Sequence, residues 1–509
     1  MDTHDLPIAR ANIAVTAPDG TPPPDAPDWI WTQDNPYLHG MFAPTDREYA
    51  ADTLEVEGEL PPDLYGAYVL NGPSQRFAPP NRYHYYDGDA MLRTIYFRDG
   101  SASFRQRWVR NESFVAESIA EKGIWPGLNG PYNFSLPGYP IKDTANTDVI
   151  FHNGKLLALW YMAGTPYAVD PLTLETSGRH DFAGKLRHPL SAHSKVDPAT
   201  GELFFFTYAD DPPYMRYGVV SADGRLLRDM PIDLPGPRSP HDMGLTENHV
   251  ILHDLPLFHD VDTLRQHKRR VIRFHRDIPA RFGVLPRHGE PSDIRWFEAE
   301  PCYILHLVNC WEEGDWVHQI GCRLANPASP RDPKDGELAS ALALRRRVHT
   351  LYRWSFNLAT GAVREGMIDD LNTEFPMVNA DFVGRRTGVS FNQRLPLPVA
   401  GSIEGQCQTF DALVRYDLET GARQVWKYGD GVFGNEAPVA PRRGGGGEND
   451  AYVVTFVTDT QDWRSSCLVF DAADIVRGPL ARIRLPHRVS AGFHATWVKG
   501  EEIYDRPAA

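Results

Sequence analysis

Nineteen histidines are spread through 509 residues, and four of them sit in settings that an ordinary surface imidazole does not explain. His306 interrupts the apolar run Tyr303-Ile304-Leu305-His306-Leu307-Val308-Asn309, which has the character of a strand. His193 stands in Ser191-Ala192-His193-Ser194-Lys195-Val196, just ahead of another strand-like segment. His241 opens His241-Asp242-Met243-Gly244-Leu245 ahead of the apolar Val250-Ile251-Leu252, and His494 lies in Ala491-Gly492-Phe493-His494-Ala495-Thr496-Trp497 near the end. An imidazole in apolar surroundings needs a partner at each ring nitrogen, and a metal ion with a hydrogen-bond acceptor behind the ring supplies both. For any one of the four taken singly, satisfaction by backbone carbonyls competes with this reading. No HExxH or similar short ligand motif links them, so their spacing carries no weight.

Other chemistry-bearing patterns point to structure. His241-Asp242 resembles the dipeptide of metal phosphohydrolases, but that site draws its ligands from helices and this region reads as strand. Glu312 and Glu313 are adjacent in extended chain, so their side chains point to opposite faces and cannot act as a carboxylate pair. Asp87-Gly88-Asp89 reads as a tight turn tying segments together. No phosphate-cradling glycine loop and no Ser/His/Asp elbow is present.

The elements that must carry these residues are short β runs. Turns recur at Phe97-Arg98-Asp99-Gly100, His152-Asn153-Gly154-Lys155 and Ala222-Asp223-Gly224-Arg225. A second form, Asp or Asn followed by two variable residues, Thr and Gly, appears at Asp197–Gly201, Asn357–Gly361 and Asp417–Gly421. There an Asx turn and a glycine at positive φ make a hairpin tip. Hairpins repeated over most of the chain indicate an all-β β-propeller; two stacked β-sandwiches are the alternative. Helix formers cluster only at Leu338–Arg347, within Asp335–Val348. Arg442 to Gly447 reads as a surface loop. Residues 1–30, with Thr21-Pro22-Pro23-Pro24, read as a flexible N-terminal arm, and 31–509 as a single catalytic domain.

The formal net charge of −15 excludes a broad basic surface for nucleic acid or anionic lipid. Cys302, Cys310, Cys322, Cys407 and Cys467 form no CxxC pair and are odd in number, which fits a reducing cytoplasm and no disulfide framework. Neither a signal peptide nor an apolar run long enough to span a bilayer is visible. No motif specifies an oligomeric state.

Beyond the histidine segments, the chain carries Val56-Glu57-Gly58-Glu59-Leu60-Pro61, Asn71-Gly72-Pro73, Tyr85-Tyr86-Asp87-Gly88-Asp89-Ala90-Met91 and Glu374-Phe375-Pro376. In these ordered segments, from about Asn35 to Val498, it resembles the carotenoid cleavage oxygenase family. That resemblance implies a seven-bladed β-propeller with Fe(II) on the axis, and loops and short helices capping one face. The implied ligands are His193, His241, His306 and His494, with no carboxylate ligand. Glu374 and Glu436 match glutamates that accept hydrogen bonds from ligand imidazoles and so orient them. A third such glutamate is replaced by Met162, or, with a shift of one residue, by Tyr161. Methionine is a poor acceptor, so one ligand must be oriented by water, backbone or another side chain.

The implied reaction is Fe(II)-dependent cleavage by O2 of one C=C bond of an apolar conjugated substrate, a carotenoid or apocarotenoid, giving two carbonyl products. Tyr161 stands where the lignostilbene-cleaving branch has a lysine that engages a phenol, which favours a polyene, although Tyr161 can itself hydrogen-bond a phenol. Tyr161 and Met162 are therefore the candidate substrate-lining residues. The alternatives are a stilbene- or phenylpropenoid-cleaving oxygenase, an isomerase on the same scaffold, and an inactive propeller binding protein. A lipid-soluble substrate implies peripheral membrane contact, and Leu255-Pro256-Leu257-Phe258, near Arg269 and Arg270, is the candidate surface, with core packing as its alternative.

Overall fold

Asp197, Asn357 and Asp417 each close a tight turn with their own side chains. Asn357 Oδ1 accepts from the backbone N–H groups of Ala359 (3.1 Å) and Thr360 (2.8 Å), and Asp417 Oδ1 from those of Glu419 (3.1 Å) and Thr420 (2.8 Å). Asp197 takes Ala199 N–H and the Thr200 hydroxyl. Gly201, Gly361 and Gly421 follow at φ of 71°, 78° and 73°, where a side chain would be strained. A fourth copy escaped the motif. Asp170 accepts from Leu172 N–H (3.0 Å) and Thr173 N–H (2.7 Å) in the same way, but Leu174 takes the glycine's place at φ 57°.

The computed structural model describes residues 25–32, 35–38, 40–327, 347–396 and 409–505. The helix expected at Leu338–Arg347 (apart from Arg347), the Thr21–Pro24 segment and Cys407 lie outside these residues. Hairpins assemble into seven antiparallel sheets of four to six strands, the blades of a propeller, which rules out stacked sandwiches. The innermost strands, in chain order, are Asp148–His152 (blade I), Lys195–Val196 (II), Gly244–Leu245 (III), Tyr303–Glu313 (IV) and Thr373–Met377 (V). Blade VI begins with Val432–Gly434 and Val439–Pro441, and blade VII with Ala495–Lys499.

Apolar clusters fill the spaces between neighbouring blades. Phe204, Met215, Tyr217, Val250 and Leu252 join blades II and III, and Phe282, Val284, Ile304, Trp354 and Phe356 join III and IV. The core is thus a ring of wedges around an axis, and the axis itself is left for polar residues.

Termini close the ring. Ala495–Lys499, from the end of the chain, pairs antiparallel with Gly66–Pro73 from its beginning, in register Leu70↔Ala495 to Gly66↔Lys499. Val56–Gly58 adds to the outer edge of blade VI through Ala481–Arg484. Asp25 is buried against Arg488 (2.9 Å) and Ile30 is fully covered, so the last residues of the expected N-terminal arm pack on the propeller.

Short helices Glu112–Ala120 and Val261–His267, and the hairpin of Leu257–His259 with Ile272–Phe274, are excursions between strands. Leu264 of the second helix packs with Tyr132, Ile141 and Trp160 into a cap core beside Tyr161 and Met162. Leu255 and Leu257 are buried, while Phe258 stacks on His275 (4.4 Å) under Arg238. The stretch considered as a membrane surface is therefore interior packing. Among the described residues, no helix is long and apolar enough to cross a membrane, and the four cysteines are free and buried.

Gly72 marks a tight point of closure. A Cβ there would lie 2.6 Å from Gly492 Cα, which is backbone and cannot move aside cheaply. Gly72→Ala is expected to destabilise the chain by about 1–3 kcal/mol, as overpacking does. The denaturant midpoint measures it, and an unchanged midpoint would show that the closure is looser than its geometry.

Candidate metal centre

Each of the four histidines lies on, or just ahead of, the innermost strand of its blade. His193 precedes Lys195–Val196, His241 precedes Gly244–Leu245, His306 is inside Tyr303–Glu313, and His494 precedes Ala495–Lys499. Residues as far apart in sequence as His193 and His494 thus meet on one axis. The ring centroids of His193 lie 4.8, 5.0 and 4.5 Å from those of His241, His306 and His494. His306 lies 5.1 Å from His241 and 4.6 Å from His494. Ligand nitrogens of His193, His306 and His494 all fall within 4.8 Å of one another, and the three residues are buried. His241 completes the group by its ring contacts, though it is less covered.

Backbone and carboxylates hold these rings. His193 sits at φ 62°, a left-handed conformation rare for a non-glycine residue, with its N–H donating to Asp148 Oδ2 at 2.9 Å. Strain held this way is a mark of functional positions. Glu374 Oε2 lies 2.5 Å from His306 Nδ1 and also accepts Phe375 N–H; Phe375 is itself left-handed at φ 51°. Glu436 Oε1 lies 3.1 Å from His494 Nδ1, and its other oxygen takes Ala495 N–H. Both glutamates expected behind ligand rings are therefore in hydrogen-bond contact with them.

Electrostatics and the donor set suit a cation. Burial, and then the charges of neighbouring histidines, hold His193, His241 and His306 well below the usual imidazole range, so these rings stay neutral with lone pairs available. For His494 burial again opposes charge, but Glu436 overrides it and the net shift is upward. His193 Nε2 and His306 Nε2 are buried without any hydrogen-bond partner, a costly state that a bound metal relieves. Burial pushes Glu374 up to about 7; a dication beside His306 would draw it back towards the carboxylate.

The Tyr161–Met162 pair resolves differently from the alignment of motifs. Met162, one of the two residues aligned with the third acid, has its sulfur 2.7 Å from Arg270 Nη1. The ring beside His241 is that of Tyr161, at 6.1 Å. With Tyr86, Leu305, Phe375, Phe493 and Thr147, Tyr161 lines a small cavity that ends on His241, His306 and His494. Phe375 stacks on His494 at 4.7 Å and 16°.

Three further residues support the site. Asp148 binds the His193 backbone and stands 3.6 Å from its Nδ1. His349 lies 3.7 Å from the second oxygen of Glu374. Asn71 takes His494 O at its N–H and donates its side chain to Ala145 O and Asp148 O. None carries a local signal, because each acts on a residue far away in sequence. Asn71-Gly72-Pro73 was visible only as a resemblance; its work is to lock His494 to blade I.

Glu374→Gln removes the charge behind His306 while keeping its shape, so divalent-metal affinity is expected to fall about ten- to hundredfold. Titration with Co(II) followed by its visible absorption reads this directly. Equal affinity in the variant would reduce Glu374 to a packing role.

Comparison with known proteins agrees with this architecture. The family model described as retinal pigment epithelial membrane protein matches residues 42–499. A carotenoid 9,10(9',10')-cleavage dioxygenase of Phaseolus vulgaris is 35% identical over 496 residues, covering 92% of this chain and 90% of that one. An isoeugenol monooxygenase of Pseudomonas nitroreducens is 30% identical over 476 residues, with 92% and 98% covered. The crystal structure of a Pseudomonas brassicacearum lignostilbene dioxygenase superposes with a TM-score of 0.81 at 29% identity, over 92% of this chain and 99% of that one. With a family match spanning nearly the whole propeller and relatives alike over nine-tenths of its length, the protein belongs to the carotenoid cleavage oxygenase family and is an enzyme of its dioxygenase type.

Proposed function

We propose that the protein is an Fe(II)-dependent dioxygenase that splits one C=C bond of an apolar conjugated substrate, a carotenoid or apocarotenoid, into two carbonyl products. The observation that carries this reading is the set of four converging imidazoles beneath an aromatic-walled cavity, the candidate metal-holding group found among the described residues being made of histidines. Imidazole suits Fe(II), and a neutral ligand set leaves the ion's charge uncompensated. His193, His241, His306 and His494 would hold the metal, which when bound supplies the redox chemistry that O2 needs to react with an alkene.

The remaining work falls to the chain's own residues. Glu374 and Glu436 accept from Nδ1 of His306 and His494, which leaves Nε2 facing the axis. Phe375, Phe493, Leu305 and Tyr86 exclude water and offer flat apolar surfaces to a planar conjugated chain. Selection of the double bond then rests on positioning, with no acid or base required.

A stilbene or phenylpropenoid alkene is the second reading. It is favoured by the Tyr161 phenol on the cavity wall and by likeness to isoeugenol monooxygenase and lignostilbene dioxygenase. We place the enzyme in the cytoplasm, with peripheral membrane contact as its access to a lipid-soluble substrate.

Purified protein is expected to hold about one iron per chain, and His306→Ala to lose it while melting as a folded protein. Iron-free wild-type protein after anaerobic reconstitution would count against the metal assignment. With isotopically labelled O2, the label should appear in carbonyl products from an apocarotenal or hydroxystilbene panel; an unlabelled geometric isomer as the only product would make this an isomerase.

A further inference from the structure

His193 and His241 are delivered by very short strands. Lys195–Val196 and Gly244–Leu245, innermost in blades II and III, have two residues each. Their pairing is limited to Lys195↔Phe204 and Val196↔Leu203 in one blade, and Gly244↔Ile251 and Leu245↔Val250 in the other. Tyr303–Glu313, which carries His306 in blade IV, has eleven residues. A ladder of two residues makes few inter-strand bonds and fixes little of a strand's height and tilt. His193 adds to the demand, because a left-handed residue (φ 62°) persists only where its surroundings over-determine it.

One ion pair meets that demand. Lys195 Nζ lies 2.7 Å from Asp242 Oδ1, and the Asp242 side chain is 2% exposed. The same oxygen accepts Met243 N–H at 2.7 Å, while Oδ2 accepts Leu307 N–H at 2.8 Å. Around Leu307 the pairing of Tyr303–Glu313 with Trp316–Leu324 shifts register on both sides, an irregularity of the kind that re-aims neighbouring side chains. Lys195 is two residues beyond His193, Asp242 follows His241, and Leu307 follows His306. Upstream, Asp148 accepts the His193 N–H at 2.9 Å. The left-handed residue is thus pinned before by its backbone and after by the Lys195 side chain. His494 stands outside this set, held by Glu436 and the closing strand.

We propose that Lys195 is a positioning residue for the candidate metal centre: through Asp242 it ties the short inner strands of blades II and III to the long inner strand of blade IV, and so sets the spacing of His193, His241 and His306. Replacing a buried ion pair by apolar side chains often leaves stability unchanged, so the contribution of this pair lies in geometry. Without the ammonium, Asp242 still joins blades III and IV through Leu307, but blade II loses its tie, and His193 is the ring that shifts. This assignment rests on the reading of the four histidines as metal ligands and is independent of the choice of substrate.

Lys195→Met keeps the aliphatic stem and removes the charge. The double variant Lys195→Met/Asp242→Asn removes both charges, while the amide oxygen can still accept Leu307 N–H. It decides the matter if the single variant, with its unpaired buried carboxylate, does not fold. Co(II) is titrated into metal-free protein, its visible absorption reports the coordination, and the same metal-free samples are melted. Wild type should saturate at about one Co(II) per chain. The folded variants should bind Co(II) about tenfold or more weakly, as when support behind a ligand is lost, with the absorption bands shifted or weakened. The metal-free double variant should melt close to wild type. Wild-type affinity and wild-type bands in the variants, whatever their melting temperature, would make Lys195 a structural residue only and overturn the proposal. That outcome leaves the metal reading standing; wild-type protein that takes up no Co(II) would overturn both.

Discussion

Pairing of Ala495–Lys499 with Gly66–Pro73 turns seven sheets into a closed ring, and the axial histidine cluster depends on that pairing. His494 is the residue immediately before the closing strand. Its carbonyl accepts Asn71 N–H at 2.9 Å, and its own N–H donates to Thr147 O at 3.2 Å. One histidine of the four is thus delivered by the act of closure, at the junction of blades VII and I. Without it the other three rings would face an open seam. The close approach of Gly72 to Gly492 shows how little slack the seam has.

Buried carboxylates complete the axis. Asp148 in blade I accepts the His193 N–H leading into blade II, and Asp242 ahead of blade III accepts Leu307 N–H of blade IV at 2.8 Å. Glu374 in blade V reaches His306 in blade IV, and Glu436 in blade VI reaches His494 and Ala495 at the start of blade VII. Each acid bonds a candidate ligand or the residue next to one in a neighbouring blade. An ionised carboxylate is costly to bury. Here the cost is offset by backbone donors that would otherwise be orphaned at irregular strand starts, and a metal held on the axis would lower it further.

Around this quasi-symmetric centre, the cap is asymmetric, and it decides what reaches the histidines. A loop within blade VII supplies Tyr86, the segment between blades VII and I supplies Tyr132, a loop within blade I supplies Tyr161, and the excursion in blade III supplies Arg270, while the histidines sit on or just ahead of the innermost strands. Relatives that share a propeller while bearing names for different substrates fit this division, because loops can change without disturbing the inner strands.

Local chemistry was legible wherever a residue acts on its near neighbours. The Asx turns at Asp197, Asn357 and Asp417 read correctly because their hydrogen bonds close within four residues; the turn at Asp170 was missed because Leu174 tolerates the conformation glycine normally takes. The histidines stood out by their apolar settings, and Glu374 and Glu436 by resemblance. What only tertiary structure decided were contacts between distant segments: Asp148 under His193, His349 beside Glu374, Asn71 against His494. Motif alignment left either Met162 or Tyr161 at the position of a third acid; the fold sets Met162 against Arg270 and Tyr161 beside His241. The sequence alone determined the all-β hairpin architecture and the residues able to bind a metal. Only closure of the ring decided which of them meet, because their common axis is a property of all seven blades together.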